Sequence, residues 1–369
     1  MDILENTLSF NRNILLLDTS MDYTEIEYLK KHFCGLVYNI NKIENIETFN
    51  DYLLYLTGNI EEINLPKNNS ITIYIIKQLS YNIYLDHEHE IIDIKSVPIN
   101  IHNVGVFIEQ FFDPNKNYFK LIENEHKFQN LTESNKDDIT FRTGIYLSRI
   151  TKQSDDNLKF NILRCLNNLD GPTEGFREID NEIVNSVNHI ASYLFDQKTD
   201  LNHVLAEIYE NRDMIEEHSN KTADMPRNGL IAFCSFYRDY DTNRYKSTEC
   251  LTKMRFKLKP YVKDDTELVK QFDIILYPNS VFLISLWTNR LYTHEIVQNH
   301  LPSEKIPTRL EYVIRCSNRE VIYNESNGRT YIIEDNMYRE LVEPTLEDMY
   351  KLKELYFCEN VYDKIMDYD

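Results

Sequence analysis

The second half of the chain carries two histidines, two arginines and a tyrosine at intervals that could build a small metal-centred site. His218 lies in DLNHVLAEIYENRDMIEEHSNKTADMP, with Tyr209 nine residues before it and Asn220 two residues after it. His294 lies in YPNSVFLISLWTNRLYTHEI, and Arg309 and Arg315 lie in TRLEYVIRCS. Two imidazoles and one carboxylate on one face are the donor set of non-haem iron oxygenases, which leaves adjacent positions for a co-substrate and oxygen. A planar guanidinium suits a carboxylate partner better than an ammonium does. Each residue also has a plainer reading. Ten His in 369 residues make a separated pair a common accident. Charges six apart on a strand share a face and can be solvated or paired with acids. An aromatic on a strand packs by default. His126 and His300 lack ligand spacing and read as ordinary.

The segments that must position these residues read as strands. They are 202–209, 229–237, 252–258, 273–277, 281–287, 291–296 and 308–316, rich in β-branched and aromatic residues. Such a run closes as a sandwich or jelly roll. Ahead of it, Phe176, Ile179, Ile183, Val187, Ile190 and Leu194 recur at steps of three and four, which predicts a helix over 174–197 with one apolar face for a sheet. Residues 1–100 alternate between short strands and helices: a strand at 14–17, a helix at 23–33, a strand at 36–40, a helix at 44–57 and a strand at 71–77. Pro98 marks the junction. Asn327-Gly328, between REVIY and RTYII, signals a two-residue hairpin turn. A closing helix is expected over 345–366, with Glu347, Asp348, Glu354 and Glu359 on a solvated face. The expected class is α+β: a small α/β unit over 1–100, a jelly-roll domain over 105–340, and a C-terminal helix within 341–369 packing on it.

Taken together, Tyr209, His218, His294, Arg309 and Arg315 resemble the pattern of the AlkB-like oxygenases that depend on Fe(II) and 2-oxoglutarate. In that family a strand Tyr precedes the first His by nine residues, and an Arg-x5-Arg strand follows the second His. The resemblance covers about 105–320 and implies a double-stranded β-helix (jelly-roll) core. It implies that His218 and His294 hold iron, that Tyr209 touches 2-oxoglutarate, and that Arg309 pairs the distal carboxylate of that co-substrate. Arg315 would lie near the keto acid end or support the substrate side. Pro278-Asn279-Ser280 and Thr288-Asn289-Arg290 match the strand-turn-strand lead into the second His, and 126–136 with 141–148 match the substrate-side segment more loosely. NNLDGPTEGF at 167–176 would be the loop before the long helix.

Two positions depart from that family pattern. Asn220 stands where the family has the Asp ligand, and a neutral amide oxygen donates more weakly to a hard ferrous ion than a carboxylate does. Glu207 stands where the family commonly has an Asn that hydrogen-bonds 2-oxoglutarate, so an anion would face the co-substrate unless it turns away or is protonated. Asp224, six residues beyond His218, could replace the missing carboxylate only if its loop folds back. The resemblance therefore implies an oxygenase hydroxylating an unspecified substrate or, with the carboxylate lost, a pseudoenzyme that keeps the fold as a binding or scaffolding module.

Bulk properties narrow the partners. A formal charge of -20 disfavours attachment to a phosphate backbone, so a small molecule or a protein side chain is expected as substrate rather than nucleic acid. Six dispersed Cys without a CxxC pair suit a reducing compartment and argue against a zinc ribbon. No stretch approaches about 18 consecutive apolar residues, and Asp2 and Glu5 sit where a signal peptide would be basic, so an intracellular, soluble protein is expected. The first hundred residues show no glycine-rich phosphate loop, which leaves them a packing or partner-binding role. The sequence does not set the oligomeric state.

Overall fold

The computed structural model describes residues 12–18, 24–43, 51–63, 71–83, 89–133, 139–154, 156–164, 167–169, 173–196, 200–210, 215–238, 248–262, 267–334, 337–364 and 366. The chain begins with a parallel sheet in the order β2-β1-β3-β4-β5, formed by β1 (Asn13–Leu17), β2 (Leu36–Asn39), β3 (Leu53–Asn59), β4 (Thr72–Tyr81) and β5 (Glu90–Ile92). Helix α1 (Thr24–His32) connects the first two strands. Strand β1 reads NILLL and is buried throughout, the uninterrupted apolar run expected of a parallel strand covered on both faces. The helix expected over 44–57 is not formed: Leu53 to Asn59 is a strand paired to β1, and 44–50 lie outside the described residues. Leu53, Leu54, Tyr55 and Leu56 are all buried, and only a central strand can bury four consecutive side chains to both sides.

A large sheet follows. It takes in β6 (Ile99–Ile101), β7 (Gly105–Ile108), β8 (Gln129–Glu133) and β9 (Ile139–Ser148), with α2 (Tyr118–Glu125) between β7 and β8. Strands β10 (Thr151–Ser154) and β11 (Asn157–Ile162) leave it, and β12 (Asn167–Leu169) and β13 (Glu174–Gly175) return to pair with β8 and β9. The expected loop at 167–176 thus contains two short strands, with 170–172 outside the described residues. Helix α3 (Glu178–Leu194) occupies the predicted helix and lays Ile183, Val184, Val187 and Leu194 into the core.

Eight strands then run in succession: β14 (His203–Tyr209), β15 (Ile215–His218), β16 (Leu230–Tyr237), β17 (Lys253–Leu258), β18 (Gln271–Ile275), β19 (Ser280–Ser285), β20 (Tyr292–Val297) and β21 (Arg309–Arg315). They divide between two antiparallel sheets. The large one runs β12-β8-β9-β14-β21-β16-β19-β7-β6, and the small one runs β15-β20-β17-β18. A one-turn helix, α4 (Leu286–Leu291), stands between β19 and β20 where a strand-turn-strand was expected. Ser285 caps it by accepting from the Thr288 N–H, which favours helix over turn.

Alternation along the strands gives the large sheet two different faces. Val204, Ala206, Leu310, Tyr312, Ile314, Ala232 and Phe236 face α3 and α1 in one core, which also takes Leu15, Leu17 and Tyr55 from the parallel sheet. Leu205, Ile231, Phe233 and Val313 face the small sheet and meet Met254, Phe256, Phe272 and Ile296. The space between the two sheets is therefore closed by side chains from both, and the candidate residues lie there.

Past the eight strands, β22 (Arg319–Asn324), β23 (Arg329–Glu334) and β24 (Met337–Glu340) join β10 and β11 in a third antiparallel sheet, β10-β11-β22-β23-β24. The hairpin at Asn327-Gly328 has a four-residue loop rather than the expected two, because Asn324 pairs Arg329. Asn324 accepts from the backbone of both Asn327 and Gly328, and only Gly328 takes positive φ (68°), so the two left-handed residues of a two-residue turn are not both present. Helix α5 (Leu346–Val361) ends the described chain. Its acidic residues do not share one solvated face as expected: Glu347, Asp348 and Glu354 are exposed, but Glu359 is buried. No helix among the described residues is long and apolar enough to cross a membrane.

Candidate metal centre

His218 ends β15 and His294 is the third residue of β20, and the two are direct partners across those antiparallel strands. Their ring centroids are 4.5 Å apart. Two aromatic rings wall the His294 imidazole, Phe233 from the large sheet at 5.4 Å and Phe256 from the small sheet at 5.5 Å. His218 Nδ1 lies 2.9 Å from the Glu216 carbonyl, which can only accept, so Nδ1 carries the proton and Nε2 keeps its lone pair. Burial lowers the His218 pKa to about 4, with Lys221 and Arg142 adding repulsion, and burial holds His294 well below the ordinary imidazole value. Both imidazoles are thus neutral near pH 7, the form that binds a metal.

The loop after His218 is fixed from three sides. Asn289 of α4 grips the Asn220 backbone reciprocally, accepting from its N–H at 2.9 Å and donating Nδ2 to its carbonyl at 2.9 Å. Asn360 of α5 accepts from the Ser219 N–H at 2.8 Å. The buried Glu359 accepts from the Thr222 N–H and hydroxyl, which explains why this acid is docked rather than solvated. Lys259 holds the end of the same helix by donating to the Glu359 carbonyl at 2.6 Å. Sequence reasoning missed these supporting residues because no spacing rule links 360 to 219. The Asn220 side-chain Nδ2 is buried without a hydrogen-bond partner.

Asp224 does not supply the missing carboxylate. Arg164 takes it through Nε, Nη2 and its backbone N–H, and Arg319 adds Nε at 3.2 Å, so the aspartate belongs to a guanidinium clamp beside β11 and β22. Two cations already saturating a carboxylate leave it little to offer a metal.

The inner face of the large sheet carries the rest. Tyr209 on β14 lies directly across from Arg309 on β21, whose guanidinium sits over the Tyr209 ring at 4.5 Å. Glu207 lies across from Glu311. Tyr209 donates its hydroxyl to Glu207 Oε2 at 2.8 Å, and Arg142 on β9 approaches Glu207 Oε1 at 3.6 Å. Arg309 pairs with Glu311 through Nη1 at 3.1 Å and Nη2 at 3.2 Å. Burial raises the Glu207 pKa against the pull of Arg142. Arg315 lies farther along β21, across from His203, and its Nη1 reaches toward the Lys221 carbonyl of the metal-side loop at 3.5 Å. Arg142 and Glu311 went unread in the sequence. The face-sharing rule that couples 309 to 315 also places 311 between them, and that signal could have found Glu311.

Most of the buried polar side-chain atoms that lack a hydrogen-bond partner among the described residues lie on this inner face, including His203 Nδ1, Glu207 Oε1, Ser235 Oγ, Arg309 Nε and Arg315 Nε, and His294 Nδ1 of the small sheet is another. Buried polar groups are ordinarily satisfied, so their concentration here sets this face apart from the rest of the core. A cleft of about 470 Å³ lined by Tyr118, Phe236, Tyr277 and Asn279 includes neither His218 nor His294.

A second cluster has metal-ligand chemistry and a different fate. Glu125, His126 and Asp180 bring one ligand atom each within 4.8 Å of one another. Both His126 ring nitrogens are already engaged, Nδ1 with Glu174 at 2.9 Å and Nε2 with Asp180 at 2.7 Å. Burial disfavours the imidazolium, but its hydrogen bonds to the accepting carboxylates of Asp180 and Glu174 outweigh this and raise the pKa. Asp180 also accepts from Tyr312 and from the Arg177 N–H that opens α3. His126 thus joins the end of α2, the start of α3 and the outer face of β21, a structural role its spacing did not signal.

The residues present fit a divalent metal in part. The two imidazoles lie side by side, but among the described residues no carboxylate joins them within ligand-cluster range. They do not fit a free diacid as they stand, because Glu311 already holds Arg309 and Glu207 faces the same space. No family model matches the chain, and no curated protein matches it. Solved structures similar to it include that of OsALKBH1 (10% identity, 57% of this chain and 97% of that one, TM-score 0.36). A Pseudomonas putida prolyl-4-hydroxylase is similar at 11% identity, over 57% of this chain and 92% of that one, with TM-score 0.34. An oxidoreductase of the 2OG-Fe(II) oxygenase family from Burkholderia pseudomallei is similar at 10% identity, over 57% and 84%, with TM-score 0.35. Likeness at this level carries no functional weight.

Proposed function

We propose that the chain is an oxygenase of the Fe(II)- and 2-oxoglutarate-dependent kind, built on a double-stranded β-helix, with His218 and His294 as metal ligands and Asn220 as the weak third position. The observation that carries this reading is the cross-strand pairing of His218 with His294, whose ring centroids are 4.5 Å apart, with the His294 ring buried between the two sheets. The division of β14 to β21 into β14-β21-β16-β19 and β15-β20-β17-β18 supports the β-helix, since successive strands wind between the sheets. The metal, when bound, activates dioxygen for hydroxylation. His218 keeps its Nε2 lone pair available through the Glu216 carbonyl, and Asn289 and Asn360 hold the ligand loop still. Phe233 and Phe256 exclude water from around His294. Tyr209, Arg309 and Arg315 are the co-substrate side of this reading. A small molecule or protein side chain is the substrate class, in keeping with the acidic balance.

Two observations favour a second reading, a binding module of the same fold without turnover: Asn220 in the third position and the Arg309–Glu311 pair. Succinate release from 2-oxoglutarate with Fe(II) separates the two. Turnover by the native chain, abolished in His218→Ala and His294→Ala, supports the oxygenase. A native chain that binds Mn(II) through those His yet releases no succinate, while Asn220→Asp does, supports the binding module. Metal affinity unaffected by either His substitution would remove both.

A further inference from the structure

We infer that Glu311 is an internal counterpart of the co-substrate's distal carboxylate: by holding the Arg309 guanidinium it sets the pocket's selectivity against free dicarboxylates. The inference rests on the reading of Arg309 as the carboxylate anchor. Arg309 and Glu311 alternate on β21, so both face the inter-sheet space, and they are 1% and 2% exposed. Arg309 Nη2 donates to Glu311 Oε2 at 3.2 Å, and Nη1 lies 3.1 Å from Oε1 as an ion-pair contact, so the guanidinium is held by this carboxylate although Nη1 and Oε1 form no hydrogen bond. The position also holds two carboxyl groups. Glu207 lies directly across β14 from Glu311, a register that sets Cβ atoms roughly 4.5–5.5 Å apart. Arg142 approaches Glu207 Oε1 at 3.6 Å, a looser contact than that of Arg309 with Glu311.

A dicarboxylate entering this space must displace Glu311 from Arg309 and leave it buried and unpaired beside Glu207. An unpaired buried charge is among the costliest things a protein interior can hold. An uncharged amide at 311 removes that penalty and leaves Arg309 available. Arg309 Nε, His203 Nδ1 and Ser235 Oγ, the last on the residue directly across β16 from Glu311, remain as polar atoms for the incoming ligand.

The test is calorimetric titration of the full-length Mn(II)-loaded chain with 2-oxoglutarate, comparing the native protein with Glu311→Gln and with Glu311→Asn, which removes the same charge with a smaller side chain. Metal affinity is titrated separately and reports that each variant is folded. The expected result is binding at least tenfold tighter in both neutral variants than in the native chain, with the gain lost when Arg309→Ala is added. Equal binding by native and neutral variants, still abolished by Arg309→Ala, overturns the role of Glu311 and keeps the anchor. A gain that survives Arg309→Ala overturns the anchor reading and the inference with it. No binding in any variant that still holds Mn(II) does the same.

Discussion

The two faces of β21 carry similar chemistry to opposite ends. On the outer face Tyr312 donates to Asp180, which together with Glu174 encloses the His126 ring, and every ring nitrogen and acceptor oxygen named there has a partner. One residue away on the inner face, Arg309 and Glu311 pair with each other while Arg309 Nε stays unpartnered, and on the facing small sheet the imidazoles of His218 and His294 meet with no carboxylate in ligand range among the described residues. Both faces are buried and both bring His and acids together. What separates the two faces is how far their polar atoms are already satisfied by the protein.

Breaking the lock should have the largest effect. His126→Ala leaves Asp180 and Glu174 without their cation and is expected to cost about 3–5 kcal/mol in urea unfolding, while His294→Ala costs less than half as much and abolishes Mn(II) binding instead. Equal stability losses would erase the distinction between the faces. Next, Asn220→Asp is expected to tighten Fe(II) binding on the order of tenfold or more by restoring a charged donor, read by anaerobic metal titration. Unchanged affinity would show that Asn220 faces away from the metal.

The lock also predicts a pH dependence with a definite sign. The His126 pKa is raised in the fold, so the stability it contributes is full below the ordinary His value of about 6.5 and is lost as pH rises through the folded pKa. Unfolding free energies between about pH 6 and about pH 9 should fall more steeply for the native chain than for His126→Gln. Parallel profiles would mean that His126 is neutral in the fold. Smallest is Gly328→Ala, a control outside both regions. A Cβ there meets nothing within 4 Å, but φ is +68°, so a loss of ~1 kcal/mol in thermal or urea unfolding is expected from backbone conformation alone.

Periodicity located much of the fold. The seven strands expected between 202 and 316 each overlap a strand of the structure, and the 174–197 pattern contains α3. It failed where side chains are apolar without rhythm: 53–56 could be helix or strand from its own residues, and burial between parallel neighbours decided for strand. Strand β15, which carries His218, was not read at all, because IEEH is too short and too polar to announce itself. It exists because β20 is there to pair with it.

By itself the sequence determined which residue types were available and which of them shared a face, since alternation along a strand is fixed by covalent geometry. That is why Arg309 and Arg315, and Tyr209 with Glu207, were legible as neighbours. Only the tertiary structure decided what each group meets: that His218 and His294 converge, that Asp224 is taken by Arg164 and Arg319, and that Glu311 rather than a ligand holds Arg309. These outcomes depend on strand register and sheet packing between segments far apart in the chain, and the energy of a charge depends on that environment far more than on its neighbours in sequence.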